Sequence, residues 1–302
     1  MPRSVASRLA RRATLLVPFA LVARGEGVET PRLIVQAPAE LAAAAREIDA
    51  IPAASWTSLR ELAGLATFGP PVVVVLAPEG SDAARRVAPW ISGYAESRRG
   101  LVVLLPRRVG RYPDRGLVPL LRHEVAHVVV ARAAGGRDVP RWFDEGLAMA
   151  AARPWELGDR ARVALAVLTD DRLPLARLDT AFAGGEAEAQ SAYALAGDLM
   201  RELLQRHGRA APAAILARLA GGERFAAAFR GVTGESLAEF ERAYWQRRTL
   251  WDRWVPVISS SVVLWAGVAL LALAAFRRRR ARDAELRRSW EAEEGSETDA
   301  PP

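Results

Sequence analysis

Hydrophobic and polar positions divide the chain into three kinds of sequence. Over the first hundred or so residues, apolar runs of strand length alternate with turn residues. Residues 33–36, 72–76 and 101–105 are such runs, the second and third rich in Val and Leu; each predicts a strand, the second a buried one. The Ala-rich stretch 39–49 predicts a helix between the first two, and Gly69-Pro70-Pro71 and Gly110 mark turns. After Asp114 the period changes, and nearly everything to Trp251 reads as helical. The pattern predicts an α+β fold, with a small α/β lobe over residues 24–113 followed by a helical lobe over 114–253.

The two ends carry the third kind of sequence. Arg3, Arg8, Arg11 and Arg12 precede an apolar run over 13–23, which gives way to Arg24-Gly25-Glu26-Gly27. That is the layout of a secretory signal peptide over residues 1–23, cleaved after Ala23 or retained as an anchor. The run is shorter than the roughly 20 residues a bilayer span requires. Residues 255–276 are apolar and uncharged, with Trp251 and Trp254 before them and Arg277, Arg278, Arg279 and Arg280 directly after. At about 1.5 Å per residue this stretch covers a hydrocarbon core of roughly 30 Å, so it predicts one transmembrane helix. The aromatic edge and the arginine edge orient it, with residues 24–253 outside the cytoplasm and the tail 277–302 inside. After Arg288 the tail turns acidic and ends in proline, which predicts disorder.

Composition narrows the chemistry. Hydrophobic residues make up 51% and charged residues 25%, enough for a sizeable core. With no cysteine, disulfides, thiolate metal sites and cysteine nucleophiles are excluded. The net charge of +7 arises from arginine alone, since the sequence has no lysine. Those arginines are dispersed or lie beside the membrane segments, without the aromatic interleaving of a nucleic-acid face, so nucleic acid is not an expected partner.

The chemistry gathers in one place. His123-Glu124-Val125-Ala126-His127 is an HExxH pattern within the apolar, Gly-free stretch 117–134, which Gly135-Gly136 closes as a helix stop. Four residues are just over one helical turn, so both imidazoles point the same way and can grip one ion. Glu124 lies about 100° around the helix, placed to act as general base on water at that ion without being a ligand. A catalytic zinc site takes three protein ligands, and Glu145 is the candidate third, in Pro140-Arg141-Trp142-Phe143-Asp144-Glu145-Gly146. Pro140 suits the start of a second helix that folds back on the first. Asp144 reads as an exposed helix carboxylate, and His207, before Gly208, as a residue at a helix C-terminus.

HEVAH followed by PRWFDEGLA resembles the gluzincin metallopeptidases, in particular the peptidase MA-like domains of bacterial exported and membrane-anchored proteins. Leu173-Pro174-Leu175, Ala192-Tyr193, His207-Gly208 and the stretch 225–245 are similar to the middle and closing parts of these domains, so the resemblance covers roughly residues 70–250. It implies a thermolysin-like zincin that binds Zn2+ through His123, His127 and Glu145, with Glu124 activating water and Tyr193 stabilising an oxyanion. Its substrate would be a peptide or protein in the cell envelope, and its location the bacterial cell membrane, single-pass. The strand at 101–105 is the expected edge for an extended peptide. Thermolysin-like relatives place an Asp four residues after the Glu ligand to orient a histidine; here that position is Met149, which leaves the partners of the ligands unassigned. The alternatives are a non-catalytic, membrane-anchored zincin-fold module for binding or assembly, and a role for the basic stretch 277–288 at anionic lipid.

Overall fold

The computed structural model describes residues 17–19, 29–110, 113–168, 173–259, 265, 268–280 and 282. Among the described residues five strands form one sheet in the order β1-β2-β3-β5-β4. They are β1 (Val17–Phe19), β2 (Leu33–Ala37), β3 (Val72–Leu76), β4 (Gly93–Glu96) and β5 (Leu101–Leu104). β2, β3 and β5 run parallel, and β1 and β4 pair antiparallel at the two ends. The all-aliphatic β3 sits in the middle, with Val72, Val74 and Leu76 fully buried. Helices α1 (Ala42–Asp49) and α2 (Thr57–Ala63) make the crossover from β2 to β3, and the short α3 (Asp82–Arg85) follows β3.

One strand is not where the sequence suggests. The run at 101–105 is β5, and it is interior, bonded to β3 on one side and β4 on the other. The cause is local: residues 97–99 form a tight turn ended by Gly100 at φ 63°, which folds β4 onto β5 as a hairpin. β4 therefore takes the edge position assigned to 101–105.

From Leu117 onward every described element is a helix. These are α4 (Leu117–Ala133), α5 (Arg141–Ala152), α6 (Leu157–Leu168), α7 (Leu175–Phe182), α8 (Glu186–His207), α9 (Ala211–Ala220), α10 (Phe225–Thr233) and α11 (Leu237–Ser259). The fold is thus mixed α and β, mostly helical with a small sheet. α4 is apolar around most of its circumference, and a helix of that kind must be enclosed. It is covered by β4, β5, α1, α2, α5 and α9, and Leu121, Val125, Ala126, Val128 and Val129 lose all contact with water.

Gly135 and Gly136, at φ 63° and 74°, reverse the chain after α4. α4 and α5 then meet in reverse order: His127 beside Asp144, His123 beside Glu145, and Arg122 Nη2 donating to Ala151 O at 2.5 Å. The two helices are antiparallel. The rotation of α5 is locked from behind by Trp142 and Phe143, buried among Phe225, Phe229 and Phe240, with ring centroids 5.2 to 6.5 Å apart. Burying each such ring stabilises the fold by about 1.5–3 kcal/mol. α8 lies across α5 at Gly146, where a Cβ would come within 2.5 Å of Ala196 O and 2.9 Å of Met200 Cβ. The glycine after Glu145 is what permits that approach.

Residues 245–302 separate as a second compact unit. Its described residues 245–259, 265, 268–280 and 282 are helical, and Trp265, Val268, Leu270, Leu271, Leu273 and Phe276 are exposed. Among the described residues no helix is long and apolar enough to cross a membrane. Residues 260–264, 266 and 267 of the expected span lie outside the described residues, as do the expected signal peptide, apart from the strand Val17–Phe19, and nearly all of the tail.

Candidate metal centre

α4 and α5 bring their polar residues to one buried point. His123 Nε2 lies 3.2 Å from Glu145 Oε2, and His127 Nε2 lies 3.4 Å from the same oxygen. The imidazole centroids are 5.0 Å apart at 74°, so both rings turn one edge toward Glu145. Ligand atoms from His123, His127 and Glu145 all fall within 4.8 Å of one another. A tetrahedral zinc with bonds of about 2.0–2.1 Å spaces its ligand atoms roughly 3.3–3.4 Å apart. The two His–Glu145 separations match that spacing, so the donor set fits a metal of the zinc type.

Each histidine is backed on its other nitrogen by a carboxylate. Asp114 Oδ2 lies 3.3 Å from His123 Nδ1, and Asp144 Oδ2 lies 2.9 Å from His127 Nδ1. Neither contact has hydrogen-bond alignment, so each carboxylate acts through its charge, which favours hydrogen on Nδ1 and leaves the Nε2 lone pair for the ion position. Asp144 is therefore not the plain exposed carboxylate its sequence suggests; its side chain is 27% exposed and faces His127. Its position beside Glu145 follows from the helix reversal, a signal that antiparallel pairing of HExxH with the following helix could have given. Asp114, in the segment before α4, has no such spacing rule. Together the two aspartates supply the partners that Met149 does not.

The electrostatics favour a cation. Two imidazoles face Asp114, Asp144 and Glu145 in a buried site, and positive charge is needed to balance them. Burial disfavours charge on the histidines, yet Asp114 and Glu145 raise His123, and Asp144 and Glu145 carry His127 well above the usual histidine value. Glu145 is opposed by burial too, but His127 and His123 hold it well below the usual carboxylate range. Arg141 Nε adds a longer contact, 3.4 Å to Glu145 Oε1, while its guanidinium lies 4.7 Å from the centre of the Phe182 ring.

Glu124 stands apart from the three convergent residues, beneath the sheet edge. It is 6% exposed, and burial pushes its carboxyl up to about 7, against the lowering pull of His127 and His123. A Cβ on Gly93 of β4 would meet Glu124 Oε1 at 3.1 Å, so the absence of a side chain there lets the edge strand lie on the carboxyl. Tyr193 is on α8, its ring 6.3 Å from that of His123 and 5.1 Å from that of Phe182. The charge of Glu145, then burial, raise its phenol well above its ordinary value, so it keeps its proton and remains a donor. His207, the last residue of α8, pairs instead with Glu235 at 2.9 Å.

A peptidase MA superfamily model matches residues 114–250, from the aspartate behind His123 to α11. Residues 114–250 form a peptidase MA superfamily domain. In this superfamily domain the three convergent residues come from α4 and α5, and α8 carries Tyr193 over them. No curated protein matches the chain.

Proposed function

We propose that the protein is a zinc-dependent peptidase of the cell envelope, with His123, His127 and Glu145 as the ligands and Glu124 as the base. The observation that carries this reading is the convergence of both imidazole Nε2 atoms on Glu145 Oε2 at 3.2 and 3.4 Å, with Glu124 close by and not part of the convergent set. Zinc, when bound, supplies Lewis acidity that lowers the pKa of water to about 7 and polarises a carbonyl. Glu124 takes the proton from the attacking water and delivers it to the leaving amine. Burial, which raises its carboxyl in the metal-free site, favours the protonated form it takes after accepting that proton. Tyr193 donates its hydroxyl hydrogen to the oxyanion that develops on the substrate carbonyl.

A peptide substrate is best accommodated at β4. Its outer edge is unpaired among the described residues, and its first residue, Gly93, lies on Glu124. An extended peptide bonded to that edge would pass beside the base. The thermolysin-like arrangement and the single membrane span belong to the same proposal. The span rests on the sequence of residues 255–276 and on the exposed apolar side chains of Trp265, Val268, Leu270, Leu271, Leu273 and Phe276, followed by Arg277–Arg280.

The experiment is a pair of variants in the full chain. Glu124→Gln should keep zinc and lose turnover, whereas His123→Ala should lose the metal. If Glu124→Gln cleaves peptides at the wild-type rate, the chemistry assigned to Glu124 is wrong.

A further inference from the structure

The partner of His123 has a partner of its own. Asp114 is 3% exposed; its Oδ2 lies 3.3 Å from His123 Nδ1 and its Oδ1 lies 3.8 Å from Arg153 Nε. Arg153 caps the C-terminus of α5, eight positions after Glu145, and its side chain is only 8% exposed. Its terminal nitrogens grip Asp159 in parallel, Nη1 to Oδ2 at 2.8 Å and Nη2 to Oδ1 at 2.7 Å. Asp159 is 1% exposed and also accepts the backbone N–H of Glu156 at 2.8 Å. A line of buried charges therefore runs Asp159, Arg153, Asp114, His123.

We infer that Arg153, clamped by Asp159, is a positioning residue that aims Asp114 at His123 and thereby sets metal affinity. The inference rests on the proposed role of His123 as a ligand. Three features carry it. The bidentate grip fixes the plane of the guanidinium, Nη1 also donates to Pro154 O at 3.3 Å, and Nε stands at ion-pair distance, 3.8 Å, from Asp114 Oδ1 without hydrogen-bond geometry. With the positive charge fixed beside Oδ1, the Asp114 carboxylate keeps Oδ2 behind the imidazole instead of rotating toward the arginine with both oxygens. Finally, α5 carries Glu145 at its fifth position and Arg153 at its end, so one rigid element sets a ligand directly and the backing of a second ligand through Asp114.

A cation at a helix C-terminus is favourable in itself, so a residue that merely ends α5 is the competing explanation for Arg153. That reading accounts for an exposed arginine, and it gives no reason to bury one between two carboxylates, which is costly unless the geometry is used. Arginine is also required by shape, because a lysine ammonium cannot hold Asp159 bidentately and keep its positive charge beside Asp114 at the same time.

The test uses the purified full chain, with zinc affinity read by chelator competition, the visible spectrum of the Co2+ form, and thermal unfolding of the metal-free protein. Arg153→Gln should weaken zinc binding about 10–100-fold, the range for groups that orient metal ligands, and should alter the Co2+ spectrum. Asp114→Asn with Arg153→Gln should bind zinc no more weakly than Asp114→Asn alone, because the arginine acts through the aspartate. Lower thermal stability with unchanged zinc affinity and an unchanged Co2+ spectrum would show a purely structural residue and overturn the inference. Should Arg153→Gln not fold, Arg153→Lys keeps the charge; a loss of affinity supports the assignment and wild-type affinity overturns it. If the wild-type chain itself binds no zinc, it is the proposed function that fails, an outcome separate from the variant comparison.

Discussion

His127 Nδ1 lies 2.9 Å from Asp144 Oδ2, while the opposite nitrogen of the same ring faces Glu145, the next residue on α5. Two successive side chains on one helix thus engage both ends of one imidazole on another. The arrangement predicts that Asp144→Asn weakens zinc binding about 10–100-fold, since an amide neither carries the charge nor enforces the Nδ1–H tautomer. Global stability should change little, because Asp144 is partly exposed. Zinc titration beside a denaturation curve checks both halves.

Gly146 is the close-approach point of α5 and α8. Gly146→Ala must displace Ala196 or Met200, whose atoms stand 2.5 and 2.9 Å from the new Cβ. Overpacking of this kind costs about 1–3 kcal/mol. Because the neighbouring residue is Glu145, the shift should also weaken metal binding. Chemical denaturation of the metal-free and metal-loaded protein should show a larger loss in the loaded form.

Gly93 offers a way to disturb the base without touching a ligand. An alanine there would meet Glu124 Oε1 at 3.1 Å and Leu104 Cδ2 at 3.0 Å, and the flexible carboxylate is the group that can move. Gly93→Ala is expected to lower kcat by on the order of tenfold or more, since displacements near 1 Å cost up to about 100-fold. Zinc affinity should stay at the wild-type value, which steady-state kinetics with a metal titration will read.

The pH dependence of the metal-free protein has a definite sign. His123 and His127 are raised above the ordinary 6.5, so their contribution is complete below that value and is lost as pH rises through their higher folded values. Glu124, moved from 4.5 to about 7, keeps its proton in the folded state across that interval and so also makes stability fall as pH rises. Glu145 is depressed and contributes fully above 4.5, with loss only on acidification. Metal-free stability from this site should therefore decline from about pH 4.5 upward through neutrality. Zinc competes with protons for the imidazoles, so the rise in Tm on adding zinc should be larger near pH 8 than near pH 6. Thermal unfolding across that range, with and without zinc, measures it.

The helical half of the fold was legible because its signals are local. HExxH on an apolar stretch required only the helical period to set His123, Glu124 and His127 on one helix, and a Gly-Gly stop and a Pro start, with the family resemblance, added Glu145 from a helix that folds back on it. What stayed hidden depends on tertiary pairing. β4 is a four-residue strand of mixed polarity containing Gly93, so neither its existence nor its edge position is written in a hydrophobic pattern. Asp114 is in the segment ahead of α4, and its contact with His123 is created by the way that segment meets the helix. Asp144 could have been found by carrying the predicted helix reversal one residue further.

Hydrolysis of a broad peptide library by the zinc-loaded full chain, before and after chelation, reads the proposed activity itself. The expected result is cleavage that chelator abolishes and zinc restores. A folded sample holding one zinc per chain that shows no chelator-sensitive cleavage would contradict it, and would favour the reading as a binding or assembly module.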